Sequence, residues 1–143
     1  WSAVRPATGE CFVAAIRPNN LRCHTTPAAH HFKHMGIEPA VFEHGLTMQQ
    51  FKERWSAFFR PEDTLAGWNQ ITLKLFEEIV PQANAPLLLK AIYCNHTGGS
   101  CGDLSRVLEQ EGLKPIATKA QGRAQIRLGN AARVAHFLHS VMS

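Results

Sequence analysis

The chain has 143 residues, of which 45% are hydrophobic and 18% are charged, so it can enclose a core and is neither a disordered nor a fibrous segment. No apolar run approaches the roughly 18 to 20 residues of a membrane span and no signal peptide opens the chain, so we expect a soluble domain with no membrane partner. Fifteen Lys and Arg against eleven Asp and Glu give a formal charge of +4, which is compatible with a polyanionic partner.

The cysteines predict a reducing environment. Cys11, Cys23, Cys94 and Cys101 contain no CxxC pair. We therefore expect free thiols, no disulfide framework and a cytoplasmic location. The sequence begins at Trp1 rather than at a methionine, and we interpret residues 1–143 as a single domain that is an N-terminally truncated part of a longer chain.

The N-terminal third predicts a hairpin followed by a long connection. Residues 2–5 and 10–16 are extended in character and are separated by a turn containing Pro and Gly, which predicts a β-hairpin. Pro18 and the two asparagines after it are expected to end the second strand. Residues 21–45 are rich in His, Pro and Thr without a sustained period, so we expect irregular structure with about one helical turn.

The middle of the chain predicts two helices and two strands. Thr47 followed by Gln50 forms a capping-box pattern at the start of a helix over 47–60. Residues 63–68 (DTLAGW) form a short, apolar run with a glycine at its end, as in a buried strand. Asn69 can cap a second helix, which carries Leu73 on its apolar face and ends at Pro81. Residues 87–94 (LLLKAIYC) give the strongest strand prediction.

Two further helices are predicted in the C-terminal third. Asp103 can cap a helix that ends before Gly112. The last helix, over 124–142, places an inward face at steps of four and three residues: Ala124, Leu128, Ala131, Ala135, Leu138 and Met142. The order of strands and helices predicts an α/β layer fold with an antiparallel hairpin at one edge of a partly parallel, mixed sheet and helices packed on it.

Several segments, in this order, resemble the DEDD-type 3′-to-5′ exonucleases of the ribonuclease H-like fold, the proofreading group. They are residues 3–5, 12–18, 35–37, 64–68 and 122–124. The resemblance covers nearly the whole chain and implies a ribonuclease H-like sheet. It also implies that the chain lacks the family's first strand, because its sequence starts where the second strand of the family would begin.

The acidic residues of that family are replaced here. Family members cleave phosphodiesters with two metal ions held by four carboxylates, two of them on the missing first strand. Trp68 and Asn69 stand where the second motif has His-Asn, and Leu73 replaces its Asp. In the third motif Gly122 replaces a His and Arg127 replaces an Asp. Alkyl and guanidinium groups cannot hold Mg²⁺, so the resemblance implies a catalytically inactive domain, with Trp68 available to fill the cleft.

The C-terminal third is locally basic, and its candidate nucleic-acid-binding residues are Lys114, Lys119, Arg123 and Arg127. Arg123 and Arg127 are four residues apart and share a helix face that could contact phosphates. We therefore predict a module that binds RNA or another single-stranded nucleic acid, or that acts as a scaffold for a partner protein or an upstream domain. A basic face that is simply solvated remains the alternative.

Other functions stay open at this point. One is an active Mg²⁺- or Mn²⁺-dependent exonuclease whose first acidic motif lies upstream, with Asp63, Glu77, Glu78 and Asp103 as the nearby carboxylates. Another is an accessory domain of a tRNA-modifying enzyme, since the chain resembles degenerate domains that occur beside DTW-type aminocarboxypropyltransferases. A structural Zn²⁺ could be assembled from Cys23, His24, His30, His31, His34, Cys94, His96 and Cys101, although no recognised spacing joins these residues.

Overall fold

The computed structural model describes residues 1–17, 29–82 and 84–143. The strands are β1 (Ser2–Val4), β2 (Cys11–Val13), β3 (Ala66–Gly67) and β4 (Leu87–Leu88). The helices are α1 (Ala29–Met35), α2 (Pro39–Glu43), α3 (Met48–Phe58), α4 (Gln70–Ile79), α5 (Leu89–Thr97), α6 (Leu104–Gln110) and α7 (Gly122–Met142). The chain is thus a mixed α/β protein, as predicted. No helix within these ranges combines the length and the apolar character needed to cross a membrane.

The strands form two separate small sheets. β1 pairs antiparallel with β2, with Ala3 opposite Phe12, which confirms the predicted hairpin over a shorter range. β3 pairs in parallel with β4, with Ala66 opposite Leu87. Within the described ranges the hairpin is not hydrogen-bonded to the parallel pair. The single mixed sheet is therefore not observed there, and a ribonuclease H-like arrangement is not confirmed.

Helix α3 begins where the capping box predicts. The Thr47 hydroxyl accepts a hydrogen bond from the Gln50 backbone nitrogen at 3.2 Å, and the Gln50 side chain accepts one from the Thr47 nitrogen at 2.9 Å. Phe51 and Trp55, four residues apart, are the buried residues of this helix. Thus a cap and one apolar stripe, both visible in the sequence, are sufficient to define α3.

The predicted strand over 87–94 is wrong, because only Leu87–Leu88 is extended and the remainder belongs to α5. Leu89 and Tyr93 are buried while Lys90 is exposed, which is a helical period of four. A short apolar run does not by itself distinguish a buried strand from a buried helix. Gly98 then ends α5 in the left-handed conformation, with φ of 70°.

The long connection after the hairpin is more regular than predicted. Residues 29–43 contain two helices, α1 and α2, in place of a single helical turn. α2 begins with Pro39 in its first turn, where a proline needs no hydrogen-bond donor. The predicted end of the second strand at Pro18 and the first part of the irregular segment, residues 18–28, lie outside the described residues.

Two apolar clusters stabilise the fold. One joins the hairpin to α3 and α4, and its buried members are Phe12, Ala14, Phe51, Trp55 and Phe76. The other joins α5, α6 and α7, and its buried members are Trp68, Leu89, Tyr93, Leu104, Val107, Leu108, Val134 and Leu138. The predicted inward face of α7 is correct at Leu138 but wrong at Met142, which is 62% exposed because the last turn of the helix is exposed throughout.

The prediction that the cysteines form no disulfide is also wrong. Cys94 and Cys101 form a disulfide, with their Cα atoms 5.8 Å apart, while Cys11 is a half-buried free thiol. The left-handed Gly98 reverses the chain after α5 and brings Cys101 back beside Cys94, a contact that the seven-residue spacing does not reveal. The cytoplasmic location was predicted from free thiols, whereas disulfides are typical of oxidising compartments. The disulfide therefore does not support that location, which stays a prediction.

Candidate nucleic-acid interface

A large open cleft lies between the hairpin, the β3 region and α7. Its volume is about 1240 Å³, and its walls include all of β1, all of β3 and residues from the first two thirds of α7. This volume exceeds the roughly 300 to 1000 Å³ of a small-molecule site. The cleft therefore has room for a segment of a polymer.

Four of the five residues predicted at the motif positions line this cleft. Trp68, Asn69 and Leu73 all line it, and so does Arg127. Trp68 and Leu73 are buried, so they form part of its floor, whereas Asn69 is exposed. Asn69 is the residue before α4, as predicted, but its side chain makes no capping hydrogen bond.

Gly122 does not line the cleft but positions the residue after it. Its φ is 59°, and a Cβ at this position would overlap the Met35 carbonyl oxygen and come within 2.9 Å of that of Gly36. Only glycine allows α1 and the start of α7 to approach so closely. This contact joins two of the segments that carry the family resemblance, residues 35–37 and 122–124. It also places the Arg123 guanidinium beside the His34 ring, with Nη1 in contact with Nε2.

The two carboxylates of the cleft wall, Asp63 and Asp103, already accept hydrogen bonds from neighbouring residues. Asp63 accepts hydrogen bonds from the Arg5 guanidinium and from the Arg60 backbone nitrogen. These bonds, that of Arg5 above all, hold the pKa of Asp63 below its usual value. Asp103 caps α6, as predicted, by accepting a hydrogen bond from the Arg106 nitrogen at 3.0 Å. Neither carboxylate forms an ion pair with Lys90, Arg123 or Arg127.

Three cations of the wall, Lys90, Arg123 and Arg127, form no ion pair with any carboxylate in the described residues. All three are exposed, and Arg123 and Arg127 lie one helical turn apart on α7. The first turn of α7 carries no acidic residue to neutralise them. These three side chains thus give this wall of the cleft a positive electrostatic potential, which attracts anions.

Lys114 and Lys119, the other predicted binding residues, do not line the cleft. Both are exposed in the segment between α6 and α7. The Lys114 carbonyl accepts a hydrogen bond from Arg133 Nε at 2.7 Å, which ties this segment to a later turn of α7. The structure therefore separates the four predicted residues into a pair inside the cleft and a pair outside it.

Several cleft residues were not identified from the sequence. The sequence predicts a strand at Lys90, and a strand there does not indicate that Lys90 lines the same cleft as the arginines of α7. Asn130, which is 5% exposed, lines the cleft and places Nδ2 3.5 Å from the Ser105 hydroxyl. The sequence signal that could have identified Asn130 is a polar residue within the apolar stripe of a helix. Trp1 and Trp55 also line the cleft, together with the predicted Trp68.

The cofactor predictions stay predictions. Among the described side chains, those of residues 1–17, 32–82 and 84–143, no three His, Cys, Asp or Glu are grouped closely enough to hold a metal ion. The disulfide occupies the sulfurs of Cys94 and Cys101, which the zinc hypothesis requires as thiolates. Cys23 and His24, from the other half of that hypothesis, lie outside the described residues.

Comparison with known proteins adds no family assignment. The chain matches no protein-family model, no curated protein and no solved structure. The resemblance to exonucleases therefore rests on the sequence segments given above, and the chemistry of the cleft must be argued from its own residues.

Proposed function

We propose that this chain is a catalytically inactive, exonuclease-like domain that binds single-stranded RNA through Arg123 and Arg127. The observation that carries the proposal is their place in the cleft: both arginines, without a carboxylate partner in the described part of the chain, line the same cleft as Trp68, Asn69 and Leu73. The proposal includes a ribonuclease H-like arrangement of the hairpin, β3 and the packed helices.

The spacing of the two arginines suits a phosphate backbone. Four residues of α-helix advance about 6 Å along the axis, so Arg123 and Arg127 can contact successive phosphates of one strand. Guanidinium groups bind phosphate oxygens through paired N–H donors, which favours arginine over lysine at such positions. Trp68, although largely buried, borders the cleft and could stack against a base.

The same residues argue against metal-dependent cleavage. Leu73 is 5% exposed and lies against β3, where a Cβ on Gly67 would be 2.9 Å from its Cδ2 atom. Arg127 brings a positive charge where a metal ligand would have to be negative. Divalent cations such as Mg²⁺ require hard oxygen ligands, and both replacements remove one.

The salt dependence of RNA affinity tests the proposal. We suggest fluorescence anisotropy with a labelled single-stranded RNA of about a dozen nucleotides, for the natural chain and for R123Q/R127Q over a range of salt concentrations. Each phosphate contact on a single strand contributes about 0.7 to the slope of log affinity against log salt, so losing two contacts should reduce that slope by about 1.4. We expect a lower affinity together with this reduced slope.

A matched variant controls for net charge. K52Q/K74Q removes the same charge at two exposed positions, on α3 and α4, that do not line the cleft. It should bind RNA with nearly the natural slope. Equal slopes for R123Q/R127Q and the natural chain would refute the RNA interface. Mn²⁺-dependent shortening of the RNA from one end would instead refute the claim that the domain is inactive.

A further inference from the structure

A buried amide of α7 has an unpaired acceptor at the cleft. Asn130 lines the cleft and is 5% exposed. Its Nδ2 atom lies 3.5 Å from the Ser105 hydroxyl oxygen, whereas its Oδ1 atom has no hydrogen-bond partner among the described residues. Buried polar atoms are nearly always paired, because an unpaired acceptor has lost its bonds to water without replacing them. Oδ1 therefore favours a bound group that donates a hydrogen bond.

Asn130 lies on the same face of α7 as the two arginines of the cleft. It follows Arg127 by three residues and Arg123 by seven, and all three residues line the cleft. Residues three and four apart on a helix are neighbours, with about 5 to 6 Å between their Cβ atoms. A strand that contacts both arginines therefore runs along α7 toward Asn130, and its next part comes beside the amide.

Ser105 completes the polar group around this amide. It is the second residue of α6, is exposed and lines the cleft. Its oxygen accepts the hydrogen bond from Asn130 Nδ2, so its own proton is available to another acceptor. The side chains of Asn130 and Ser105, which we call the amide–hydroxyl pair, thus offer a ligand one acceptor and one donor.

A hydroxyl group matches this combination. It donates one hydrogen bond and accepts another, so it can satisfy both members of the pair. A phosphate or a base carbonyl has no proton for Oδ1, and a base amino group does not accept the Ser105 proton. In RNA the 2′-hydroxyl is on the ribose carbon next to the one that carries the 3′-phosphate. A phosphate held by Arg127 therefore brings this hydroxyl close to Asn130.

We infer that the amide–hydroxyl pair binds a ribose 2′-hydroxyl and makes the cleft select RNA over DNA. The hydroxyl donates to Asn130 Oδ1 and accepts from Ser105 Oγ. Oδ1 is reached by rotation of the amide about its Cβ–Cγ bond, a torsion that is broad in asparagine. Contact with the 2′-hydroxyl is what distinguishes the two nucleic acids at a given site. The inference rests on the proposed function, because the arginines must bind the strand.

Three probes with the same base test the role of the hydroxyl. They are labelled strands of about a dozen nucleotides made of uridine, of deoxyuridine or of 2′-fluoro-2′-deoxyuridine, which keeps a ribose-like sugar conformation but cannot donate a hydrogen bond. Fluorescence anisotropy measures their affinities for the whole chain at one salt concentration. We expect the uridine probe to bind at least about fivefold more tightly than either of the others, since they lose two hydrogen bonds.

Variants S105A and N130L test the two members of the pair separately. S105A changes an exposed side chain, and N130L replaces the amide with an apolar group of similar size. Each should weaken binding of the uridine probe at least about twofold and leave that of the deoxyuridine probe unchanged, whereas a purely structural role would weaken both equally. S56A is the matched control and should keep the natural preference, because Ser56 is an exposed serine of α3 that does not line the cleft.

The outcomes separate this inference from the proposed function. Equal affinities of the natural chain for the three probes, or a preference that both variants keep, would overturn the inference. A 2′-fluoro probe that binds as tightly as the uridine probe would also overturn it, because sugar conformation would then explain the preference. If equal affinities still fall in R123Q/R127Q, the phosphate contacts of the proposed function stand. Binding of none of the probes by the natural chain would refute that function and the inference with it.

Discussion

The ionisation of Tyr93 can test how α5 packs against α6, because the signal comes from a single residue. It is the only tyrosine in the sequence, and its hydroxyl donates a hydrogen bond to Glu111 Oε1 at 2.6 Å. This hydrogen bond, together with burial and the negative charge of Glu111, raises the pKa of Tyr93 to about 12. An exposed tyrosine ionises near pH 10.

The change in ionisation can be stated at a single pH. At pH 11, about one tenth of Tyr93 is ionised in the folded chain and about nine tenths in the unfolded chain, from pKa values of about 12 and 10. The ultraviolet absorbance of tyrosinate measures this fraction directly. Variant E111Q removes the charged acceptor, so its titration midpoint should lie between those two values.

The sign of the effect on stability follows from the raised pKa. Above about pH 10 the unfolded chain releases the Tyr93 proton before the folded chain does. The contribution of Tyr93 is therefore complete below pH 10 and is lost as the pH rises through about 12. Y93F should lack this part of the alkaline decline. A native midpoint near pH 10, with circular dichroism showing an intact fold, and an unchanged midpoint in E111Q, would refute the Tyr93–Glu111 contact.

Three further substitutions test the framework of the cleft. D63N leaves the Arg5 guanidinium with Glu10 as its remaining carboxylate, so the free energy of unfolding, measured with urea, should fall at pH 7. Because the pKa of Asp63 is lowered in the folded chain, the difference between D63N and the natural chain should disappear as the pH falls through that lowered pKa. G122A should lower the free energy of unfolding by at least about 1 to 2 kcal/mol, since alanine at positive φ is strained and its Cβ meets α1. F51A should cost about 3 to 5 kcal/mol because Phe51 is fully buried, and the matched exposed change Q49A should cost almost nothing. For either of the last two, unfolding curves that coincide with those of the natural chain would contradict the packing described.

Elements with local signals were predictable from the sequence. The Thr47–Gln50 capping box and the Asp103 cap depend on residues three apart, and both caps form as predicted. The apolar run at 87–94 has no such signal. Its assignment depends on Tyr93 packing against α6 and α7, so the strand prediction failed there.

The candidate site was predictable in the same limited way. Arg123 and Arg127 could be paired because four residues on one helix share a face. The Arg5–Asp63 contact joins residues 58 apart, and the meeting of α1 with α7 at Gly122 depends on tertiary packing. No local pattern encodes those distances. Consequently the sequence indicated candidate residues but not the cleft that brings them together.

Photocrosslinking tests the central claim most directly. Single-stranded RNA carrying 4-thiouridine is bound to the chain in the presence of Mn²⁺, irradiated and digested, and the modified peptides are identified by mass spectrometry. The account predicts full-length RNA attached within the first turns of α7, around Arg123 and Arg127, and near Trp68. Attachment confined to the segment of Lys114 and Lys119, or RNA shortened from one end, would contradict it.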